Sequence, residues 1–395
     1  RMQARAADDL KRLVTGGLKD AGLDFQRAES YVTPRRLALV VDGIPEKLAA
    51  KSEERRGPRT DAPDQAVQGF KGSLPKGAKV EKRQTEKGEF FFAVVKQQGG
   101  PVKGLLPDIL SGAVGALGWP KSMRWGENQV RWVRPLHGIV CLFGGGVVDV
   151  RFGPLKTADA TSGHPFLAPK PFKVRNFKDY QAKLLKNKVI LDPAERAAMI
   201  ETEAQKLAKK AGLKLKHDPG LLAEVAGLVE WPVVRLGSID KGFMGLPPEV
   251  LTTVMRHHQK YFALVDAKGK LQPKFIVVAN TETKDKGKAM VAGNERVLKA
   301  RLSDAKFFWD QDRKRRLDDR IQELGGRVFH AKLGTMLDKV LRVEQLAHQL
   351  AGYGDANPGD AMWAARLAKA DLSTEMVGEF PELQGVMGRY YALAD

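Results

Sequence analysis

One cysteine among 395 residues, Cys141, excludes an internal disulfide and a cysteine zinc cluster. A reducing, cytoplasmic setting is the expectation. Long apolar runs are missing as well. The longest, from Gly138 to Val150, is interrupted by Gly144, Gly145 and Gly146. It falls well short of the ~20 residues a membrane helix needs, so no membrane partner is expected. No apolar signal stretch opens the chain. Negative charge is also in short supply: 47 Asp and Glu stand against 66 Lys and Arg, a net +19. That imbalance points to a polyanionic partner. A hydrophobic fraction of 43% excludes a wholly disordered basic tail. At roughly 100–200 residues per domain, two or three domains are expected. Residue 1 is Arg and helical patterning runs on through Tyr390 and Tyr391, so a trimmed piece of a longer protein is the expectation.

Most catalytic signatures are absent too. The sequence has no GxxxxGK[ST] loop, no GxGxxG after a strand, no HExxH and no GxSxG. Gly144-Gly145-Gly146 reads as a strand turn, and Cys141 as a buried, inert thiol. No catalytic residue and no metal ligand set emerges.

Periodicity organises what is present. Ala6, Leu10, Leu13, Val14 and Leu18 predict a helix. Leu37 to Val41 and Glu89 to Val95 read as strands, and Lys51 to Lys82 as a long loop rich in charge, Pro and Gly. A helix is expected over Leu105 to Leu117, then strands over Gln129 to Val133 and Ile139 to Phe143. Asp192-Pro193 starts a lysine-rich helix by N-cap and first-turn preferences. Val229 to Leu236, Tyr261 to Asp266 and Lys274 to Ala279 predict a strand set with a hairpin turn at Asp266 to Gly269. Beyond that, Leu298, Leu302, Ala305 and Trp309 recur at helical spacing. The expected domains are an α/β region over 1–165, a second over 166–290, which can form one unit with the first, and a helical domain over 291–395.

The polyanion expectation singles out three basic clusters. Met255-Arg-His-His-Gln-Lys-Tyr-Phe262 packs cations, imidazoles and aromatics into eight residues. Arg and Lys hold phosphates, and Tyr, Phe and His stack on bases; the competing reading is a solvated edge beside two core aromatics. Arg124, Arg131, Arg134 and His137 lie among Trp119, Trp125 and Trp132. Arg296, Lys299, Lys306 and Arg313 share one helix face, which suits contact with a nucleic-acid backbone. Asn294 and Glu295 are candidates to cap that helix.

Ten stretches in register resemble one family. They are Thr33-Pro-Arg-Arg-Leu-Ala38, Ser122-Met-Arg-Trp-Gly126, Val133-Arg-Pro-Leu-His137, Gly163-His-Pro-Phe-Leu-Ala168, Leu246-Pro-Pro-Glu-Val250, Met255 to Phe262, Val291-Ala-Gly-Asn-Glu-Arg-Val297, Arg301 to Trp309, Lys332-Leu-Gly-Thr335 and Lys369 to Gly385. Together they resemble the β subunit of the bacterial α2β2 glycyl-tRNA synthetase. The resemblance implies an α+β multidomain chain. Its N-terminal mixed α/β region would be similar to the editing-domain fold of the phenylalanyl-tRNA synthetase β chain. An all-helical HD-like domain would follow, incomplete at its C-terminus, with the body-tail and anticodon-binding domains lying beyond residue 395. The implied partners are the catalytic α subunit, which would use ATP and Mg2+, and tRNA(Gly); this chain itself would need no cofactor.

Arg124, Arg134, His137, Arg256, His258, Lys260, Arg296, Lys299 and Arg301 are the candidate tRNA contacts, chosen as cations and imidazoles within the family motifs. Glycine is the smallest amino acid, so a synthetic pocket excludes larger ones sterically and the editing-like fold is expected to serve RNA or subunit contact. HD chemistry needs a His-Asp pair with further ligands. Ala370 stands where the signature histidine is expected, leaving Asp371 as a degenerate position. His330 and His348 have no adjacent Asp. The rival readings are a metal-dependent HD-type phosphohydrolase and a non-catalytic scaffold.

Overall fold

A computed structural model describes residues 1–48, 51–75, 78–86, 88–97 and 99–395. Two compact units divide the chain, Arg1–Asp192 and Pro193–Asp395.

In the first unit the opening helix, Met2–Asp20, buries Ala6, Ala7, Val14 and Leu18. This is the face that the apolar spacing predicts. Val14 and Leu18 join Leu23, Val102, Leu106, Ala113, Val148 and Val150 in one core, with helix Leu106–Gly115 against it. Strands Arg27–Val32 and Leu37–Asp42 pair as an antiparallel hairpin. The segment expected as a loop over Lys51 to Lys82 is structured instead. Strands Lys51–Arg59 and Lys79–Thr85 flank Gly88–Gln97 in an antiparallel sheet, and helix Asp64–Gly72 lies between them in sequence; residues 76 and 77 lie outside the described ones. Charge and glycine concealed this because most of the side chains described there face solvent, and pairing with the Phe-rich strand supplies the order.

Two other expectations change. Gln129 to Val133 forms no regular strand; only Met123 and Trp132 bridge. Ile139 to Phe143 splits into two short strands that belong to different sheets. Gly144 and Gly145 do make the turn between Leu142–Phe143 and Gly146–Val147. Both have positive φ, 55° and 77°, which a two-residue hairpin of this hand requires.

The second unit is built on a four-stranded antiparallel sheet in the order Lys214–Leu215, Phe262–Val265, Leu271–Ala279, Val233–Ser238. Its alternation buries both faces. Phe262, Leu264, Ile276 and Val234 meet Ile200, Ala204 and Ala208 of helix Pro193–Lys210. Ala263, Phe275 and Val277 meet Leu298, Leu302 and Ala305 of helix Lys288–Asp312, together with Met376, Phe380, Met387 and Tyr391. The boundary expected near residue 290 therefore falls inside a core shared by residues on both sides of it. The region 291–395, expected to be all-helical, also contains a small hairpin, Val328–His330 with Gly334–Thr335. Helix Lys288–Asp312 begins six residues before Asn294, so neither Asn294 nor Glu295 caps it. Their side chains bond to the residue just before one strand and to the end of another: Asn294 Oδ1 accepts from the Tyr261 hydroxyl at 2.7 Å, and Glu295 Oε1 from the Ser238 N–H at 2.8 Å. No described helix is long and apolar enough to cross a membrane.

Candidate nucleic-acid interface

The stretch Met255 to Phe262 adopts an uncommon local structure. Helix Pro248–Thr253 runs into a single widened turn of π-helix, Val254–Gln259. Such turns are rare and gather at functional sites. Lys260 follows in the left-handed region with φ 60°, which costs a side-chain-bearing residue about 1–2 kcal/mol. The Tyr261 N–H then closes on the Met255 carbonyl at 2.9 Å. What holds the turn is Tyr261, 3% exposed, whose ring stacks on Phe275 at 4.5 Å. Burial pushes its hydroxyl up to about 12, so it stays a neutral donor to Asn294.

With Val254 and Met255 buried beneath, the turn carries its polar side chains outward. The Arg256 Nε donates to Asp218 Oδ2 at 2.6 Å. Partial burial alone would raise the Asp218 carboxyl. The Arg256 guanidinium and the Leu221 N–H outweigh it and hold Asp218 below its ordinary value. Lys260 pairs with Glu224 at 2.7 Å. His257 Nδ1 lies 3.7 Å from Glu382, and the His258 ring meets Phe380 edge-on at 5.4 Å. Beside this turn opens a cleft of about 130 Å³, lined by Lys216, His217, Asp218, Thr252, Arg256 and Tyr261 among others. Lys216, His217 and Arg256 line it together with Asp218, which already pairs with Arg256.

On helix Lys288–Asp312, Lys299 pairs with Asp240 at 3.3 Å, whereas Arg296 and Arg301 are exposed without a carboxylate partner among the described residues. At ~100° per residue the two arginines stand about 140° apart around the helix, so one flat backbone does not meet both squarely. Lys306 is engaged by Asp310 at 2.6 Å, and Arg313 lies over the Trp309 ring. These contacts thin the basic face that the sequence suggests.

Arg124, Arg134 and His137 belong to the first unit. All three are exposed, and among the described residues Arg134 hydrogen-bonds only to the neighbouring Val133 carbonyl, at 3.4 Å. Their tryptophans divide by role. Trp132 is buried against Trp119 and Phe152, edge-on at 4.8 and 5.4 Å. Arg131 serves the local fold, bonding Ser122 through Nε and Nη2 at 3.0 Å each.

Asp371 is fully buried. Its Oδ2 accepts from the N–H groups of Gly385 and Gly388, and burial raises its pKa above the ordinary range despite these bonds. Through Oδ2 the carboxylate pins the start of helix Val386–Ala394, while Oδ1 is buried without a hydrogen-bond partner. His330 and His348 are exposed, and among the described residues no group of three or more His, Cys, Asp and Glu could hold a metal ion.

Sequence reading missed Asp218, Glu224 and Asp240, which neutralise three of the chosen cations. Asp218-Pro219 does carry a helix-start signal, and Asp218 caps helix Pro219–Ala226 through the Leu221 N–H at 2.8 Å. Its pairing with a cation 38 residues away has no signature along the chain.

Comparison with known proteins converges on one family. The family model described as glycyl-tRNA synthetase beta subunit matches residues 1–395. A glycine–tRNA ligase beta subunit from Rhodospirillum centenum is 51% identical, covering 100% of this chain and 59% of the relative. Relatives of the same name from Ruegeria sp. and Dinoroseobacter shibae are 47% and 48% identical, again over 100% of this chain and over 59% and 56% of their own lengths. The chain thus spans a little under three fifths of the curated relatives it matches. By match over its entire length and by close identity, the chain belongs to the glycyl-tRNA synthetase beta subunit family.

Proposed function

We propose that this chain acts as the tRNA-binding and assembly-forming part of a glycyl-tRNA synthetase β subunit. In this reading it docks on a catalytic α subunit, where ATP and Mg2+ are used to attach glycine to tRNA(Gly), and it works in the cytoplasm. The observation that carries the reading is the whole-chain match to relatives named glycine–tRNA ligase beta subunit. Its physical support is a net charge of +19 with exposed arginines, Arg124, Arg296 and Arg301, that have no carboxylate partner among the described residues. Cations left free of local carboxylates are the ones available to phosphates. The N-terminal region would be an editing-like fold reused for RNA or subunit contact. The C-terminal region would be an HD-like helical domain without metal chemistry, its one signature carboxylate, Asp371, being bound to backbone amides.

The test is co-purification with the α subunit, and titration with tRNA(Gly) over a range of salt. Phosphate contacts make log K fall linearly with log salt, with a slope that counts them. A flat response, or no capture of the α subunit, overturns the reading.

A further inference from the structure

The most exposed phenylalanine in the first unit sits on a turn built to hold it there. Phe166 is 82% exposed. The turn beneath it is fixed by His164, whose ring is fully buried and whose Nδ1 accepts from the Phe166 and Leu167 N–H groups at 3.3 and 3.2 Å. The His164 N–H donates to the Asn187 carbonyl and the Ala168 N–H to the His164 carbonyl, both at 2.9 Å. Arg36 clamps the entry, with Nη2 donating to the Ser162 and Gly163 carbonyls at 2.9 and 3.0 Å. Gly163 has no room for a side chain: a Cβ there would come within 2.6 Å of the Asn187 carbonyl oxygen and 2.8 Å of that of Ala168.

A mobile loop can expose an aromatic by chance. Here a buried imidazole, a guanidinium clamp and a close backbone approach hold the ring away from every core. Such rigidity removes the ordering cost that a flexible contact would incur on binding. Cations lie close along the chain to the residues that build this turn. Arg35 adjoins Arg36, Lys186 adjoins Asn187, and Lys170 lies two residues past Ala168; all three are exposed. Open aromatic faces combined with cations are what single-stranded nucleic acid uses, with bases stacking and phosphates tracking the charge.

We propose that Phe166 is a stacking platform for an unpaired base of the bound RNA. This rests on the RNA-binding reading and names the part of the RNA taken up at one place on the chain. A protein partner inserting the ring into a pocket is less favoured, because hot-spot aromatics of that kind work in water-excluded surroundings, whereas this ring stands 82% exposed on a turn built from residues whose neighbours along the chain include the exposed cations Arg35, Lys170 and Lys186.

The experiment measures fluorescence anisotropy of the full chain with a short single-stranded RNA and with an abasic oligonucleotide of the same length. Phe166→Ala is expected to weaken binding of the base-bearing RNA about tenfold. It should leave the abasic oligonucleotide, the salt slope and the melting temperature unchanged, since the ring contributes to no core. Phe166→Trp is expected to keep or tighten the affinity. Equal affinity of wild type and Phe166→Ala for the base-bearing RNA overturns the platform and leaves the RNA-binding reading standing. Equal weakening on both probes also overturns stacking. Failure of the wild type to bind either probe overturns the platform, and failure to bind tRNA(Gly) as well overturns both readings. If Phe166→Ala loses only the captured α subunit, the ring is a protein contact and the proposal falls.

Discussion

The Tyr391 hydroxyl donates to Asp312 Oδ2 at 2.8 Å, joining residues 79 positions apart inside the core of the second unit. Asp312 is 2% exposed and accepts as well from the Glu375 and Met376 N–H groups at 2.9 and 3.0 Å; Arg320 stands 3.6 Å away. One carboxylate at the end of a long helix thus takes the first two amides of helix Glu375–Glu379, which Thr374 caps, holds the last helix and balances a buried guanidinium. The Tyr391 hydroxyl is raised by burial and by this carboxylate, which keeps it a donor.

Asp312→Ala should be among the most destabilising single changes in the chain. It orphans two amides and leaves Arg320 without its counter-charge, at a cost of about 3–5 kcal/mol. Tyr391→Phe removes one hydrogen bond and should cost about 1–2 kcal/mol. Urea unfolding of both variants orders the effects; equal losses would contradict the shared network.

Asp371 gives a pH signature of the opposite kind to most carboxylates. Its native pKa is raised above the ordinary 3.8 by burial. Its contribution to stability is therefore fully present below the unfolded value and lost as pH rises through the native one. Asp371→Asn keeps an acceptor for Gly388 and removes the titration. The variant should gain on wild type as pH climbs from about 4 toward neutrality. Unfolding midpoints that differ by a constant amount across that range would refute this.

The charge pairs predict unequal effects on RNA affinity. Arg296→Ala and Arg301→Ala should each weaken tRNA binding several-fold and lower the salt slope by about one. Asp218→Asn keeps the cap on helix Pro219–Ala226, because Asn serves there as well as Asp. It also frees Arg256, so binding should tighten about two- to threefold. Titration at two salt concentrations checks all three, and an Asp218→Asn variant weaker than wild type would remove Arg256 from the interface.

Cys141 should be sluggish toward thiol reagents. Burial pushes its thiol up to about 11, so little thiolate exists at neutral pH. Labelling kinetics with and without denaturant should differ strongly; equal rates would place the sulfur in solvent.

Elements were legible where one face of a long segment is apolar. The helix through Ala6 and Leu18 and the stripe of Leu298, Leu302 and Ala305 are buried as their spacing implies. Segments stabilised by a partner strand rather than by their own pattern were not. Lys51–Arg59 and Lys79–Thr85 read as loop because their order comes from pairing with Gly88–Gln97. The candidate site was half legible. Residue type picks out Arg256, Lys260 and Lys299, but only the fold brings Asp218, Glu224 and Asp240 against them.

By itself the sequence determined the family, through motifs in register along the whole chain, and the basic character that suits a polyanion. Those properties are sums or local patterns and survive unfolding. The tertiary structure decided which cations stay free, that the core crosses residue 290, and that Phe166 is held out on a pinned turn. Each of these depends on groups far apart in the chain meeting at ångström range, where charge pairing and close packing act and spacing along the sequence carries no information.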